Sequence, residues 1–267
     1  MPSRASRLPE QSLHFRHDPE LRQAVQGSAG FALLYGGVPS ISVVFPMFNE
    51  EAYVSRSVAA AHEALAAITD DYQIVIVNDA STDATGTIAD GLAVADPRIH
   101  VVHNAHNRRL GGTLRAGYAV ATKELILYSD ADLPFDLHEV SRAVRLLEYQ
   151  QADILTAYRF DRRSEGVTRT LYSFCYNSLI RVLFGLRVKD VNFCFKLFRR
   201  SLLDRFPLKS EGSFIDAEFL IRARNAGAHL IQIGVDYFPR TRGESTLATP
   251  SVIGRMITEM FQLKRDL

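Results

Sequence analysis

Residues 124–132 read ELILYSDAD, an apolar run that is followed at once by two carboxylates, Asp130 and Asp132. A short apolar run that ends in polar residues is typical of a buried strand. Open α/β sheets bind their ligands beyond the carboxyl ends of their strands. The stretch therefore predicts a central strand with a candidate binding site at its end.

Other short β-branched runs lie on both sides of this stretch, and longer segments with helical spacing separate them. This alternation is typical of βαβ units, so we predict a Rossmann-like, mostly parallel α/β sheet flanked by helices. After Tyr158 the pattern loosens, and its longest helical segment is VTRTLYSFCYNSLIRVLF (167–184). The predicted strands are ISVVFPMF (41–48), YQIVIVN (72–78), IHVVHN (99–104), ELILYS (124–129) and ADILTAY (152–158), with later candidates CFKLFRR (194–200) and HLIQIGVDYF (229–238).

The near-neutral charge of the chain argues against a highly charged partner, such as a nucleic acid, for the chain as a whole. The 267 residues contain 31 Lys and Arg against 30 Asp and Glu, and 47% of them are hydrophobic. Such a chain can bury a substantial core, and it lacks the field of a nucleic-acid-binding protein. Its two cysteines, Cys175 and Cys194, cannot form a disulfide framework, so a reducing compartment is expected.

The two ends differ from the middle. Residues 1–38 form a polar, Arg-rich extension without the apolar run of a secretory signal, so we expect a cytoplasmic protein. The uncharged stretch 23–49 contains six Gly and Pro residues, which argue against a membrane-spanning helix. We predict one main domain over 39–249 and an amphipathic helix over 250–267. That helix either packs on the domain or lies on a membrane surface.

Polar side chains follow four of the predicted strands. They comprise Asn49-Glu50-Glu51, the segment 78–83, the segment 104–109, and the pair Asp130 and Asp132. Carboxylates gathered at one sheet edge repel one another unless a positive charge lies between them. Mg²⁺ or Mn²⁺, held by one or two carboxylates and completed by substrate phosphates, is a common arrangement. A solvated turn that caps the next helix is the alternative.

Four segments, in this order, resemble the family-two glycosyltransferases with the GT-A fold, and more narrowly the dolichol-phosphate mannosyltransferase and polyprenyl-phosphate sugar transferase branch. They are FPMFNEE (45–51), VNDASTDATG (77–86), HNRRLGGTLRAGYA (106–119) and DADL (130–133), and the resemblance runs from about Ser42 to Thr246. It implies that a nucleotide sugar binds to Pro46, Phe48, Glu50 and Asp79, and that Asp130 and Asp132 hold the metal and diphosphate. We include Asn49, Arg109 and Gly111 in this site because they lie in the same segments.

The second half of the resemblance concerns the acceptor, which is expected to bind on a smaller acceptor-side lobe of the domain. It implies that an acceptor phosphate is held by Arg159, Arg169, Ser173, Asn177 and Lys196. Independently, positions 169, 173 and 177 have the i, i+4, i+8 spacing that aligns side chains along one helix face. A polar helix stripe is the alternative. FPRTRGES (238–245) resembles the closing loop of the branch, which places Arg240 and Ser245 near the donor diphosphate.

Several positions depart from the pattern. Asn78 and Ala80 replace the usual Asp and Gly, Pro134 replaces a frequent Gln, and Thr246 stands where many relatives have Lys. The resemblance implies a metal-dependent, inverting transfer of a hexose, from a donor of the GDP-mannose or UDP-glucose type, to dolichyl or undecaprenyl phosphate.

Two alternatives remain open. If the acceptor is a hydroxyl of a soluble molecule or a saccharide, Asp216 or Glu218 is the expected general base, because an alcohol needs one and an ionised phosphate does not. If it is a lipid phosphate, these two carboxylates organise the site. They could also be an ordinary pair at a helix start, which the helix dipole stabilises. The other alternative is a nucleotide-binding module without turnover. Asp132 is the remaining residue expected to be catalytic, through the metal.

Overall fold

The computed structural model describes residues 39–160, 167–238 and 250–267, without the side chains of 167–171, 250, 251 and 253. The described strands are β1 (Ile41–Met47), β2 (Tyr72–Asn78), β3 (Ile99–His103), β4 (Leu125–Tyr128), β5 (Ile154–Arg159), β6 (Lys196–Arg199) and β7 (Leu230–Val235). The described helices are α1 (Val54–Ala66), α2 (Thr85–Ala95), α3 (Arg109–Val120), α4 (Glu139–Tyr149), α5 (Val167–Phe184), α6 (Ile215–Asn225) and α7 (Pro250–Leu263).

The seven strands form one sheet in the order β3-β2-β1-β4-β6-β5-β7. Strands β3, β2, β1 and β4 run parallel to one another, and β5 runs parallel to β7. Strand β6 lies antiparallel between β4 and β5. The prediction of a mostly parallel α/β sheet is confirmed, and the reversed direction of β6 is a feature that the sequence pattern did not indicate.

The central strands are buried on both faces because helices cover the sheet. Every residue of β2 is buried, as are all residues of β1 except the half-buried Pro46. Helix α3 packs against β1 and β2, while α4 packs against β5, β6 and β7. Continuous apolar runs such as YQIVIVN are what a parallel strand covered on both sides requires.

The register of the sheet brings three loops to one edge. Met47 of β1 lies opposite Asn78 of β2, and Val44 of β1 lies opposite Tyr128 of β4. Because these strands are parallel, the loops that follow them leave from the same side. The polar segments singled out in the sequence therefore face a common space.

The ends of the chain are described only in part. Residues 1–38, predicted to be an extension, lie outside the described residues, and the domain boundaries stay predictions. None of the described helices combines the length and the apolar character that a membrane span requires.

Candidate functional site

Hydrogen bonds join the loops that follow β1 and β2. The Asn49 amide donates to Ser81 Oγ at 3.0 Å, and the Thr82 amide donates to Asn49 Oδ1 at 2.8 Å. The Glu50 amide donates to Thr85 Oγ1 at 2.8 Å. These bonds tie the first turn of α2 to the end of β1 and so form a fixed floor at the sheet edge.

Two predicted ligand-binding residues lie on this floor. Pro46 is half-buried in β1 beside Val77, and the following Phe48 is 46% exposed. An exposed aromatic ring next to a polar loop can stack on a planar ligand group.

Asp79, which follows β2, is held in one orientation. It is 3% exposed, and its Oδ1 accepts hydrogen bonds from Asn104 Nδ2 at 2.7 Å and from the Arg108 amide at 2.8 Å. The contacts connect the ends of β2 and β3 to the start of α3. The carboxylate is thus pre-oriented at the sheet edge, as a ligand-binding role requires.

Asn78 has a role that sequence reasoning missed. Its Oδ1 accepts from the Ser81 amide at 3.1 Å, and its Nδ2 lies 3.0 Å from His103 Nδ1. His103 Nε2 in turn lies 2.9 Å from Asp90 Oδ1. Because the Ser81 amide can only donate, Oδ1 must face it, and the amide nitrogen then faces the imidazole. Asn78 therefore fixes the turn after β2 through a network of side chains that are distant in sequence.

The acidic pair after β4 is held from below. Tyr128 Oη donates to Asp130 Oδ1 at 3.0 Å, and the Cys194 side chain also hydrogen-bonds this carboxylate. Burial and the neighbouring Asp132 raise the pKa of Asp130 to about 7. Tyr128 and Asp130 could have been paired from sequence, because only Ser129 separates them and alternate residues of an extended chain point to the same side. Cys194 lies two residues before β6, and no local sequence pattern connects it with Asp130.

Backbone strain is concentrated in the same region. Five described residues other than glycine have a positive φ, and four of them follow β1, β2 and β4 or begin α3. These four are Asn49 (56°), Ala80 (58°), Arg109 (57°) and Leu133 (52°). Left-handed backbone costs energy in such residues and is found preferentially at functional sites.

The chemistry of the acidic pair fits a divalent cation. Among residues 39–160, 167–238 and 250–267 there is no group of three or more His, Cys, Asp or Glu side chains arranged as metal ligands. From the described residues we therefore expect the carboxylates of Asp130 and Asp132 as ligands, which are oxygen ligands that Mg²⁺ and Mn²⁺ accept together with substrate oxygens. A cation there would also relieve the repulsion that raises the pKa of Asp130.

Arg159 lies at the end of β5, on the other side of β6. Its Nε donates to Asp190 Oδ2 at 2.8 Å and its Nη2 to Asp190 Oδ1 at 3.1 Å. The guanidinium also lies 5.5 Å from the centre of the Phe193 ring and 5.4 Å from that of Tyr237. This two-point contact fixes the plane of the guanidinium.

The predicted phosphate-binding stripe lies on α5. Asn177 Nδ2 donates to Ser173 Oγ at 3.5 Å and to the Lys189 carbonyl at 3.2 Å, and its Oδ1 accepts from the Val191 amide at 3.2 Å. Asn177 thus ties α5 to the segment that leads into β6. Arg169 belongs to α5, but its side chain lies outside the described part, as do Arg240 and Ser245 entirely.

Lys196 is buried in an ion pair, and its role at a phosphate stays a prediction. Its side chain is 1% exposed, and its Nζ lies 2.6 Å from Asp216 Oδ1 and 2.6 Å from the Phe193 carbonyl oxygen. Burial raises the pKa of Asp216, and the Lys196 ammonium opposes that shift. The ammonium therefore balances Asp216 beneath the site, since a buried charge is stable only when it is paired.

Glu218 is enclosed in the protein. It is 0% exposed and accepts hydrogen bonds from the Ser210 amide at 2.7 Å, the Lys209 amide at 2.9 Å and Arg222 Nε at 2.7 Å. Both carboxylate oxygens are therefore occupied by donors of the protein itself, and neither is open to a substrate hydroxyl. These contacts favour the organising role over that of a general base.

Gly111 and Arg109 begin α3, next to residues 208–213, which we call the 208–213 loop. The Gly111 amide donates to the Glu211 carbonyl at 2.9 Å, and a Cβ at Gly111 would lie 2.8 Å from the Glu211 carbonyl carbon. The close approach that requires glycine here is therefore made by the protein's own backbone. The exposed Arg109 lies near Glu259 of α7.

The fold and the acidic site define a class of protein. Glucosyl-3-phosphoglycerate synthase from Mycobacterium tuberculosis superposes with a TM-score of 0.63 at 20% identity, over 82% of this chain and 79% of that structure. The chain therefore has the GT-A glycosyltransferase fold. The family described as Glycosyl transferase family 2 matches residues 42–206, so the chain belongs to this family and is a glycosyltransferase.

Two relatives illustrate where the similarity lies. Polyprenol monophosphomannose synthase from Mycolicibacterium smegmatis is 27% identical over 221 residues, which cover 79% of this chain and 82% of that protein. Glycosyltransferase AglD from Haloferax volcanii is 29% identical over 207 residues, which cover 75% of this chain but 33% of that protein. This chain thus corresponds to most of the first relative and to a third of the second.

Proposed function

We propose that this glycosyltransferase moves a hexose, with inversion and with a divalent cation, from a nucleotide diphosphate sugar to a polyprenyl phosphate at the cytoplasmic face of a membrane. The observation that carries the proposal is the fixed arrangement of Asp79 and the Asp130–Asp132 pair at one sheet edge, with Arg159 beyond β6. Several relatives are named for sugar transfer to polyprenyl phosphates, among them the mannose synthase above and an undecaprenyl-phosphate mannosyltransferase from Micrococcus luteus.

The donor half of the site follows from the loops after β1, β2 and β4. The ring of Phe48 and the oriented carboxylate of Asp79 would hold the nucleoside, while Asp130 and Asp132 would hold the cation that binds the diphosphate. When bound there, Mg²⁺ or Mn²⁺ would supply positive charge against the departing nucleotide diphosphate. In the reaction the bond from the anomeric carbon to the diphosphate breaks, and a bond to the acceptor oxygen forms on the opposite face.

The acceptor half concerns cations on β5 and α5. Arg159, whose plane Asp190 fixes, would bind the acceptor phosphate together with Ser173 and Arg169. A phosphate is already ionised at neutral pH, so no side chain has to remove a proton from it. The closing residues Arg240 and Ser245 would complete the diphosphate site.

The state of Asp216 and Glu218 favours a phosphate acceptor over a hydroxyl. Asp216 is buried with its Oδ1 paired to Lys196, and both oxygens of Glu218 accept hydrogen bonds from the protein, so an incoming alcohol would have to displace existing contacts to use either carboxylate as its base. An acceptor hydroxyl remains the second candidate only if one of these contacts opens on binding. Asp216→Asn and Glu218→Gln, each made alone, separate the two cases: with a hydroxyl acceptor one of them would abolish transfer, whereas with a phosphate acceptor each would only weaken it.

The first experiment measures thermal stabilisation by GDP, UDP and their sugars, each with Mn²⁺ and with EDTA. A ligand that binds the native state raises the melting temperature, so one nucleotide should give a shift that EDTA removes. A structural neighbour crystallised with Mn²⁺ and UDP guides this choice of probes. No shift with any nucleotide would count against the donor site.

The variant that tests the acidic pair is Asp132→Asn. We expect it to lose the Mn²⁺-dependent shift and to reduce glycosyl transfer by about a hundredfold or more, because the charge that stabilises the leaving group is lost. Asp136→Asn, an exposed carboxylate four residues later, is the matched control and should retain both. Wild-type transfer rates in Asp132→Asn would refute the proposed metal role.

A further inference from the structure

Helix α5 exposes an apolar stripe along its outer side. Phe174 is 68% exposed and Val182 is 81% exposed, and they lie eight residues apart on one face with Ser178 between them. Cys175 is exposed on the same side, whereas the 49% exposed Tyr172 lies on a different side of the helix. Large apolar side chains are rarely left in water in this number along one helix without a binding partner.

The charge of the same segment is one-sided. Residues 167–189 contain four cations and no Asp or Glu, although the whole chain is close to neutral. Of the four, Arg181, Arg187 and Lys189 are exposed, at the carboxyl end of α5 and just after it. An apolar stripe bordered by exposed cations is the pattern of a helix that lies on an anionic lipid surface.

The position of the stripe agrees with the proposed acceptor site, on which this inference rests. Ser173 and Asn177 directly precede Phe174 and Ser178, so the two stripes lie about 100° apart around the helix. When a helix lies in the bilayer interface with its apolar stripe toward the acyl chains, side chains about 100° from that stripe lie at the level of the lipid phosphates. A polyprenyl phosphate, whose chain is in the bilayer, would meet Ser173 at that height.

We propose that α5 docks this enzyme on anionic bilayers through Phe174, Val182 and the cations that follow. The C-terminal helix α7 is the alternative contact, because its outer side exposes Ile257 (37%) and Phe261 (58%). Its inner side is already used, with Met256 and Met260 buried. The α5 stripe is more exposed and shares its helix with the acceptor site, which decides between the two.

The test is co-sedimentation of the full chain with phosphatidylglycerol vesicles and with phosphatidylcholine vesicles. The variant Phe174→Ser with Val182→Ser should lower the partition coefficient on phosphatidylglycerol by about tenfold, because two apolar contacts with the bilayer are lost. The matched control is Val94→Ser with Tyr149→Ser, which removes a 91% and a 74% exposed apolar side chain on α2 and α4. It should bind as the wild type does.

The charge component is tested by Arg181→Gln with Arg187→Gln. This variant should bind phosphatidylglycerol less tightly and with a weaker salt dependence, while Arg56→Gln, on α1, should change neither. Equal partitioning of the Phe174/Val182 variant and the wild type would overturn the proposal. The proposal would also be overturned if only the Ile257→Ser, Phe261→Ser variant lost vesicle binding. A wild-type dimer that the α5 variant converts to a monomer would overturn it as well.

Failure of docking can be distinguished from failure of the proposed function. Transfer to farnesyl phosphate in the absence of vesicles should be the same in the α5 variant and the wild type, because the substituted side chains lie on a different stripe from Ser173 and no bilayer is present. If the wild type binds vesicles but transfers no sugar to farnesyl phosphate, the acceptor assignment fails and the docking surface stands.

Discussion

Tyr128 supports the acidic pair with a single hydroxyl group. The side chain is buried at the end of β4, its Oη donates to Asp130, and the Lys196 ammonium lies 5.5 Å from the centre of its ring. The donor keeps Asp130 Oδ1 oriented, and the buried ion pair of Lys196 and Asp216 adjoins the ring. Tyr128 is therefore a positioning residue for a candidate metal ligand, in the sense that outer groups orient ligands at metal sites.

Tyr128→Phe removes this hydrogen bond and keeps the ring. We expect affinity for Mn²⁺ in the presence of nucleotide to fall by about tenfold, because the carboxylate is no longer held in place. Titration of Mn²⁺ by electron paramagnetic resonance measures this without turnover. The matched control is Tyr118→Phe, a buried tyrosine that packs edge-on against Phe198. Unchanged Mn²⁺ affinity in the Tyr128 variant would show that the hydroxyl does not position Asp130.

The start of α3 depends on the 208–213 loop. The amides of Gly111 and Gly112 both donate to the Glu211 carbonyl, at 2.9 Å and 3.3 Å. The same loop is held by Glu218 of α6 and by Glu259 of α7, whose Oε1 accepts from the Gly212 amide at 2.9 Å. The Arg108 amide, directly before α3, donates a hydrogen bond to Asp79. The 208–213 loop therefore connects α3, α6 and α7 with the donor site.

Two glycines in helices test this connection. Gly111→Ala would place a methyl group against the loop backbone and should lower the free energy of unfolding by about 2 kcal/mol or more, because backbone cannot move aside cheaply. Gly91→Ala, in α2, has no neighbouring atom within 4 Å of the new methyl group. It should raise the free energy of unfolding by about 0.5 to 1 kcal/mol, because alanine favours the helix. Urea unfolding measures both, and equal stability of the two variants would contradict the close contact.

Helix α7 and the end of the chain are fastened to the body of the protein. Met260 is 0% exposed, Lys209 Nζ lies 2.7 Å from Asp266 Oδ2, and Asn225 Nδ2 donates to the Leu267 carbonyl at 2.5 Å. Met260→Ala should lower the free energy of unfolding by about 2 to 4 kcal/mol, because it leaves a cavity. Its neighbour Phe261→Ala, 58% exposed, should change it by less than about 0.5 kcal/mol. A single unfolding transition shifted only by the first variant would show that α7 unfolds together with the sheet.

Local patterns predicted the parts of this molecule that depend on local sequence. The run YQIVIVN coincides with β2, and the helical stretch 167–184 coincides with α5, because periodicity is a property of neighbouring residues. The direction of β6 was not predictable, since it is decided by pairing with β4 about seventy residues earlier. The pairing of Lys196 with Asp216, twenty residues later, was not predictable from local sequence either, because only the folded chain brings the two side chains together.

The reversed strand β6 has a consequence for synthesis. Leu125 of β4 pairs with Arg199 of β6, so β4 has an unsatisfied edge from the time it leaves the ribosome until residue 199 has followed it. An apolar strand with an open edge can pair with another nascent chain. The second half of the chain thus closes the hydrogen-bonding edge of the first, and a chain that ends before Lys196 should be the form that chaperones retain.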